Sequence, residues 1–436
     1  MTYRKAGVVF SLLLTIAVLL TLPSSATAQI ESAQEETVAI APTITTFHFS
    51  DRGDDHASRI TTDAAGNFYV AASLADTSQS FGLGVLKYKF SGKLQGAFHY
   101  KPAPGEFEGA AHAVKVDAQN NIYVAGNTNV SGLVVSFTST GVQRWADRFG
   151  GSAGNPVALA IDPSGNIYAA GVGGHGGSDG VGPILEWVIV KYSNTGQRLW
   201  ERHHTGVPDE DSRVSDIQLD ALGNVLVLGT TSNSPETLTN NMTVEKLDSN
   251  GNPLWARNFA VPNVSQVPGG IAIDATGNVY ATSTTNPPEG IATPFTVKYD
   301  SSGVRQFVLR GNGAGGTSIA IDPAGDILLT GETVGSGVPT FIAATKIHPS
   351  GEKVWVTKIG ATGKIVSDST GNIYVAGADD FLVTKLNTEG KIQFATMVLP
   401  GDEATDALVD PFGNLLVTGD GLDTQFNHDI FTVKIK

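Results

Sequence analysis

The chain contains no cysteine. It forms no disulfide and carries no lipidated cysteine, so its fold must be held by packing and by closure on itself. Positive charge is also scarce: 28 Lys and Arg stand against 42 Asp and Glu, a formal net charge of −14. That balance argues against a nucleic-acid partner, because phosphate binding needs a basic patch. It serves solubility instead. Beyond the first 28 residues there is no apolar run of eighteen, so no transmembrane segment is expected in the mature chain. A Walker lysine pattern and an H-E-x-x-H helix are both missing. What is abundant is glycine, with 51 residues, in a chain whose apolar content of 41% is too high for disorder. Glycine at that level points to many tight turns.

The first 28 residues have the layout of a secretory signal peptide. Arg4 and Lys5 form a basic start, Gly7 to Leu22 is apolar, and Ala26-Thr27-Ala28 gives a cleavage site before Gln29. Residues 29–42 are a polar lead-in, and 43–436 are the folded part. The mature protein is therefore expected to be secreted, extracellular or periplasmic.

Eight copies of one phrase organise the rest. An apolar pair is followed by Asp-x-x-Gly-Asn and then a β-rich run, starting at Asp63, Asp117, Asp162, Asp220, Asp274, Asp322, Asp368 and Asp410. The spacings of 54, 45, 58, 54, 48, 46 and 42 residues are those of propeller blades. In each phrase the Asp accepts turn hydrogen bonds and the Gly supplies positive φ. Asn120 replaces that Gly in the second copy, and Asn tolerates the same conformation. A second turn of the same chemistry follows, with Thr138, Ser193, Asp248, Asp300 or Asn387 three residues before a Gly. Before it stands Lys87, Lys191, Lys246, Lys298, Lys346, Lys385 or Lys434, with Ser136 the exception. Four residues after the Gly comes Trp145, Trp200, Trp255, Phe307, Trp355 or Phe394; the first unit has Gly96 there and Phe98 nearby. Recurrence assigns both positions to structure: the lysine stem lies on the sheet, and the aromatic fills the gap between outer strands.

Each unit thus holds four antiparallel strands, a to d, with the lysine on c and the aromatic on d. The eighth unit ends at Lys436 within strand c, while Thr43 to Ser50 is an orphan strand ahead of the first unit. The expectation is an all-β fold, one propeller of eight four-stranded blades, its ring closed by the N-terminal strand completing the last blade. These repeats resemble the bacterial β-propeller repeat, or SBBP repeat, family. Its units read D-x-x-G-N-x-Y-V-x-G followed by K-[YL]-x-x-x-G, matched most closely at 63–72, 117–126, 162–171 and 368–377. The resemblance implies an exported or surface protein, and the family name implies seven blades where eight Asp turns are counted.

In this topology the a–b and c–d turns share one face, and the b–c and d–a connections share the other. The second set varies: 73–84, 171–184, 203–213 and 230–241 read as long, 377–381 as short. Binding concentrates on such loops. The glycine run 171–180 is read as a loop, with His175 and Asp179, next to a d–a connection with His203, His204, Asp209, Glu210 and Asp211. Imidazoles and carboxylates there suit a divalent metal or acid–base work, or else form a glycine loop beside a solvated charge run. At the closing seam, Asp51, Asp54, Asp55, Asp420 and Asp423 crowd oxygen ligands of the kind calcium takes, or form an exposed acidic patch. Four residues before their Asp turns, Arg59, Lys364 and Asp406 come from successive blades around the axis. They read as a salt-bridged channel belt or an anion site.

Two functions remain in view. One is a non-catalytic exported scaffold binding a protein or polysaccharide through the loop face. The other is an extracytoplasmic propeller enzyme, a hydrolase, lyase or quinoprotein, with a metal or cofactor on that face. Eight-bladed quinoprotein dehydrogenases resemble the chain in blade number, but their vicinal cysteines have no counterpart.

Overall fold

The computed structural model describes residues 42–436 apart from 51–53, 76–80, 103–107, 130, 152–153, 177–182, 205–211, 233–238, 288–290, 336–337, 378–380, 400–401 and 423–426. The leader, the lead-in up to residue 41, and Asp51, Asp179, Asp209, Glu210, Asp211 and Asp423 lie outside the described residues.

The Asp-x-x-Gly-Asn turn is a closed local hydrogen-bond system, and it recurs. Asp63 Oδ1 accepts from the Ala65 and Asn67 amides at 3.0 and 2.9 Å. Its Oδ2 accepts from Asn67 Nδ2 at 2.8 Å and the Tyr69 hydroxyl at 3.0 Å. Gly66, with φ of 75°, turns the chain, and Asn120 does so in the second blade at 63°. Such a turn fixes the register of the hairpin it joins.

Among the described residues thirty-two strands result, in eight four-stranded antiparallel sheets. Blades 1 to 7 span residues 56–99, 108–149, 155–204, 213–259, 265–310, 318–358 and 363–397. Blade 8 takes strands a to c from 403–435 and strand d from Ile44–Phe49, which pairs antiparallel with His428–Ile435. The eight-bladed ring with N-terminal closure is the architecture expected from the repeats, and the alternative of seven blades is not the one found.

The core is a set of layers between sheets. Eight apolar clusters lie one at each junction of neighbouring blades. Leu83, Val85, Val114 and Val124, between blades 1 and 2, are almost wholly buried. Each such side chain contributes about 1.5–3 kcal/mol through burial. Polar ties reinforce the outer rim. Trp200 Nε1 and Lys191 Nζ, both of blade 3, donate to the Ser249 carbonyl of blade 4 at 3.1 and 2.9 Å. Trp255 and Lys246 of blade 4 treat Ser301 of blade 5 in the same way, at 3.2 and 3.4 Å. The exception at Ser136 is compensated: Arg144 Nη1 reaches the Ser136 hydroxyl at 2.9 Å and the Tyr123 hydroxyl at 3.2 Å.

One recurrent feature is invisible in the repeat. In six blades the register of strand a skips one residue: Ser58, His112, Val157, Ser215, Gly269 or Thr405. A bulge of this kind bends and twists the innermost strand and re-aims the side chains after it.

Candidate functional site

The innermost strands of all eight blades line an axial channel with a cavity of about 760 Å³. Arg59 of blade 1, Lys364 of blade 7 and Asp406 of blade 8 all line it. Arg59 Nη1 lies 4.0 Å from Asp406 Oδ1, and Asp406 Oδ2 accepts from the Ile60 amide at 3.1 Å. Two further charges belong to this lining, Lys115 of blade 2 and Asp216 of blade 4. Lys115 was missed in the sequence because it stands two residues before its Asp turn, not four. Neither Lys115 nor Lys364 makes a hydrogen bond or an ion pair within 4 Å among the described residues.

The electrostatics are those of a wet channel enclosed by protein. Enclosure in the channel, which takes the Lys115 ammonium partly out of water, lowers it from the ordinary value. Asp406 and Asp216 act the other way, and Lys364 and Arg59 add to the depression. Burial pushes the Asp216 carboxyl up, against the pull of Lys364, Arg59, the Ile217 amide and Lys115. Across the channel the wall is small: Ala158 and Ala160, Gly270 and Ser318.

On the loop face, the histidine pair of blade 3 does not converge. His203 and His204 are consecutive residues of strand d (Arg198–His204), so they point to opposite faces of the sheet. His203 Nδ1 lies 2.7 Å from Glu186 Oε1, and its Nε2 lies 2.9 Å from Glu201 Oε1. A carboxylate at each nitrogen favours the charged ring. Burial pulls its pKa down, but the bonds from Glu186 and Glu201 outweigh this and leave it raised. His204 stacks on Trp187 with centroids 4.9 Å apart, and its Nδ1 lies 2.9 Å from Glu245 Oε2, at ion-pair distance. Glu245 Oε1 also takes Arg202 Nη2 at 2.8 Å.

The glycine run corrects the sequence reading. Gly171 to Gly176 is strand, not loop: it forms the end of strand b (Ile167–Gly176), and His175 stands opposite Ile184. The glycines are there for close approach. A Cβ on Gly171 would overlap the Asn155 carbonyl, and one on Gly173 would fall 3.1 Å from the backbone of Gly150. The run also spells G-x-G-x-x-G, as does Gly311–Gly316, but each leads into a strand and not a helix, so neither is a dinucleotide loop. Segments 150–154 and 176–180 spell G-x-S-x-G, yet the next described element after each is a strand, Asn155–Ile161 or Pro183–Tyr192, and not the helix that follows a nucleophile elbow.

At the seam the carboxylates take N–H donors. Asp54 accepts from the His428 amide at 2.8 Å, and the Asp55 amide donates to the His428 carbonyl at 2.7 Å. Asp420 accepts from the Ala57 amide at 2.5 Å and lies 3.0 Å from His56 Nδ1. The Asp420 hydrogen bond raises His56 above its ordinary value despite partial burial, helped by the charges of Asp420, Asp54 and Asp55. Among the described residues, no three His, Cys, Asp or Glu side chains are grouped so as to hold a metal ion.

No protein-family model matches the chain. No curated protein matches it either. Similar solved structures include a streptogramin B lyase, at 10% identity and TM-score 0.49, covering 90% of this chain and 98% of that one. Virginiamycin B lyase from Staphylococcus aureus gives 13%, 0.49, 90% and 99%. A luciferin-regenerating enzyme gives 11%, 0.42, 91% and 95%. At such identities and TM-scores these likenesses carry no argument, and the propeller assignment rests on the strand pairing itself.

Proposed function

We propose that this chain is an exported, non-catalytic β-propeller scaffold of the SBBP-repeat type that binds a protein or polysaccharide through the face bearing its b–c and d–a connections. One observation carries the reading. Every a–b and c–d turn leaves five residues between its strands, as at 63–67 and 89–93. The b–c and d–a connections range from two residues, 336–337, to eight, 100–107. The Asp turns hold one geometry because in each of the eight the carboxylate accepts from the amides two and four residues on; the connections on the opposite face share no such turn. A rigid ring with one uniform and one variable face is the form in which loops carry recognition. His203 and His204 are each engaged by carboxylates, which favours the scaffold over an enzyme.

The test uses the mature chain from Gln29, immobilised and exposed to alginate, pectin, xylan, chitin oligosaccharides and a set of purified cell-surface proteins. Saturable binding of one of them is expected. It should be lost when 233–238 and 288–290 are replaced by glycine–serine of equal length, and kept when Asn250 and Ser302 on the uniform face are changed to alanine. Binding that depends on the uniform face, or conversion of a glycan to shorter products, would overturn the proposal. Export is tested separately by the mass of the N-terminal peptide, expected to begin at Gln29.

A further inference from the structure

We infer that the cationic arc of the axial channel is a binding site for a small oxyanion, a carboxylate or phosphate group of a soluble metabolite. Three cations, Lys364, Arg59 and Lys115, stand on blades 7, 1 and 2, which with blade 8 form one continuous arc of the ring. Against them the same arc offers one carboxylate, Asp406, already engaged by Arg59 at 4.0 Å and by the Ile60 amide at 3.1 Å. A closed belt of salt bridges would pair the remaining charges. It does not: Lys115 and Lys364 have no ion-pair partner within 4 Å among the described residues.

The carboxylates of Asp406 and Asp216 act on these ammonium groups only from beyond ion-pair distance, and three cations against two carboxylates leave the lining with charge for a further anion. The room for one is present. Facing the arc are Ala158, Ala160, Gly270 and Ser318, and the cavity of about 760 Å³ matches the size of small-molecule sites. Asp216, on blade 4, faces the arc across the axis and offers an acceptor for a hydroxyl or amine on the far end of the ligand. The site is independent of the loop-face reading, since it lies in the bore and not on the connections.

The test is calorimetric titration of the mature chain at neutral pH and low salt with inorganic phosphate and, separately, with succinate. Saturable binding of at least one is expected, and which one binds identifies the group recognised. Lys115→Met with Lys364→Met should weaken it at least tenfold. Asp216→Asn should tighten it several-fold by removing a repelling charge, a change of sign that a merely structural role would not produce. Thermal melts verify that each variant folds; should the double variant fail to, Asp216→Asn and Lys364→Met alone decide. No saturable binding of either anion overturns the inference, as does an affinity unmoved by these substitutions.

Discussion

Asp220 shows what one turn carboxylate carries. It accepts from the Leu222 and Asn224 amides, both at 2.9 Å, from Asn224 Nδ2 at 2.8 Å, and from Lys246 Nζ at 2.9 Å. The Lys246 side chain is only 5% exposed, so Asp220→Ala would strand an ammonium as well as open the turn. A loss of about 3 kcal/mol is expected from urea unfolding, most of it from the unpaired charge. A loss below about 1 kcal/mol would mean that Lys246 finds water. Glycine gives a second contrast at this scale. Gly92 and Gly223 both sit at positive φ, 83° and 77°. A Cβ on Gly223 meets nothing within 4 Å, whereas one on Gly92 would overlap the Phe47 ring. Gly223→Ala should cost about 1 kcal/mol, the backbone strain alone. Gly92→Ala should cost about 1–3 kcal/mol more, the usual range for overpacking. Equal losses in urea melts would show that Phe47 yields freely.

The closing strand, Ile44–Phe49, decides whether the ring is shut. It caps the edge of strand c in blade 8 through six register pairs. Phe47 lies 5.6 Å from Phe68 and 6.2 Å from Tyr88, both of blade 1. His48 Nε2 reaches Asp429 Oδ2 at 2.6 Å. Deleting residues 43–50 removes all of this and bares an edge. A melting temperature lower by about 5–10 °C is expected by scanning calorimetry, and an unchanged one would mean that blade 8 is complete without it. This strand was legible in the sequence because one unit lacked strand d and one strand lacked a unit. The detail of its aromatic was not. Lys434 stands opposite Thr45, as Lys87 stands opposite Gly96, and in both blades a Phe two residues on, Phe47 or Phe98, covers the next turn glycine. The displaced aromatic is visible only once strands are in register. Lys115, by contrast, is within reach of the sequence: it follows Ala113 by two in an unbroken stretch of ladder, Ala113 to Val116, so the two share a face, and only a count restricted to the position four before the Asp passes over it. Glycines at 171–176 misled for another reason: their cause is the backbone of the paired strand a at Asn155 and of the preceding connection at Gly150, which no local pattern reports.

Around the whole ring, stability is distributed over eight similar junctions, and their titrating groups pull in opposite directions with pH. Burial pushes Asp220, Asp274, Asp368 and Asp410 up, but their turn hydrogen bonds, joined at Asp220 and Asp410 by a lysine, outweigh it and hold all four below the ordinary carboxylate value. Their contribution is present above that value, about 3.8, and is lost as pH falls through the depressed folded values. His56 behaves in reverse. The Asp420 hydrogen bond raises it, partial burial opposes this, and Asp54 and Asp55 add their charge, while the His428 ring lies 4.9 Å away. What it contributes is complete below the ordinary histidine value of 6.5 and is lost as pH rises through the raised folded one. Since His56 belongs to blade 1 and Asp420 to blade 8, that loss falls on the closure. Melting temperature scanned from about pH 3 to about pH 9 should therefore pass through a plateau between the carboxylate and histidine ranges and fall on both sides. Asp220→Asn should shrink the acid limb and leave the alkaline one. His56→Gln should flatten the alkaline limb above pH 6.5, with His203→Gln doing so separately because its pair closes within blade 3. An alkaline limb that is identical in both histidine variants and the parent would place the pH sensitivity outside the imidazoles and sink this account of the seam.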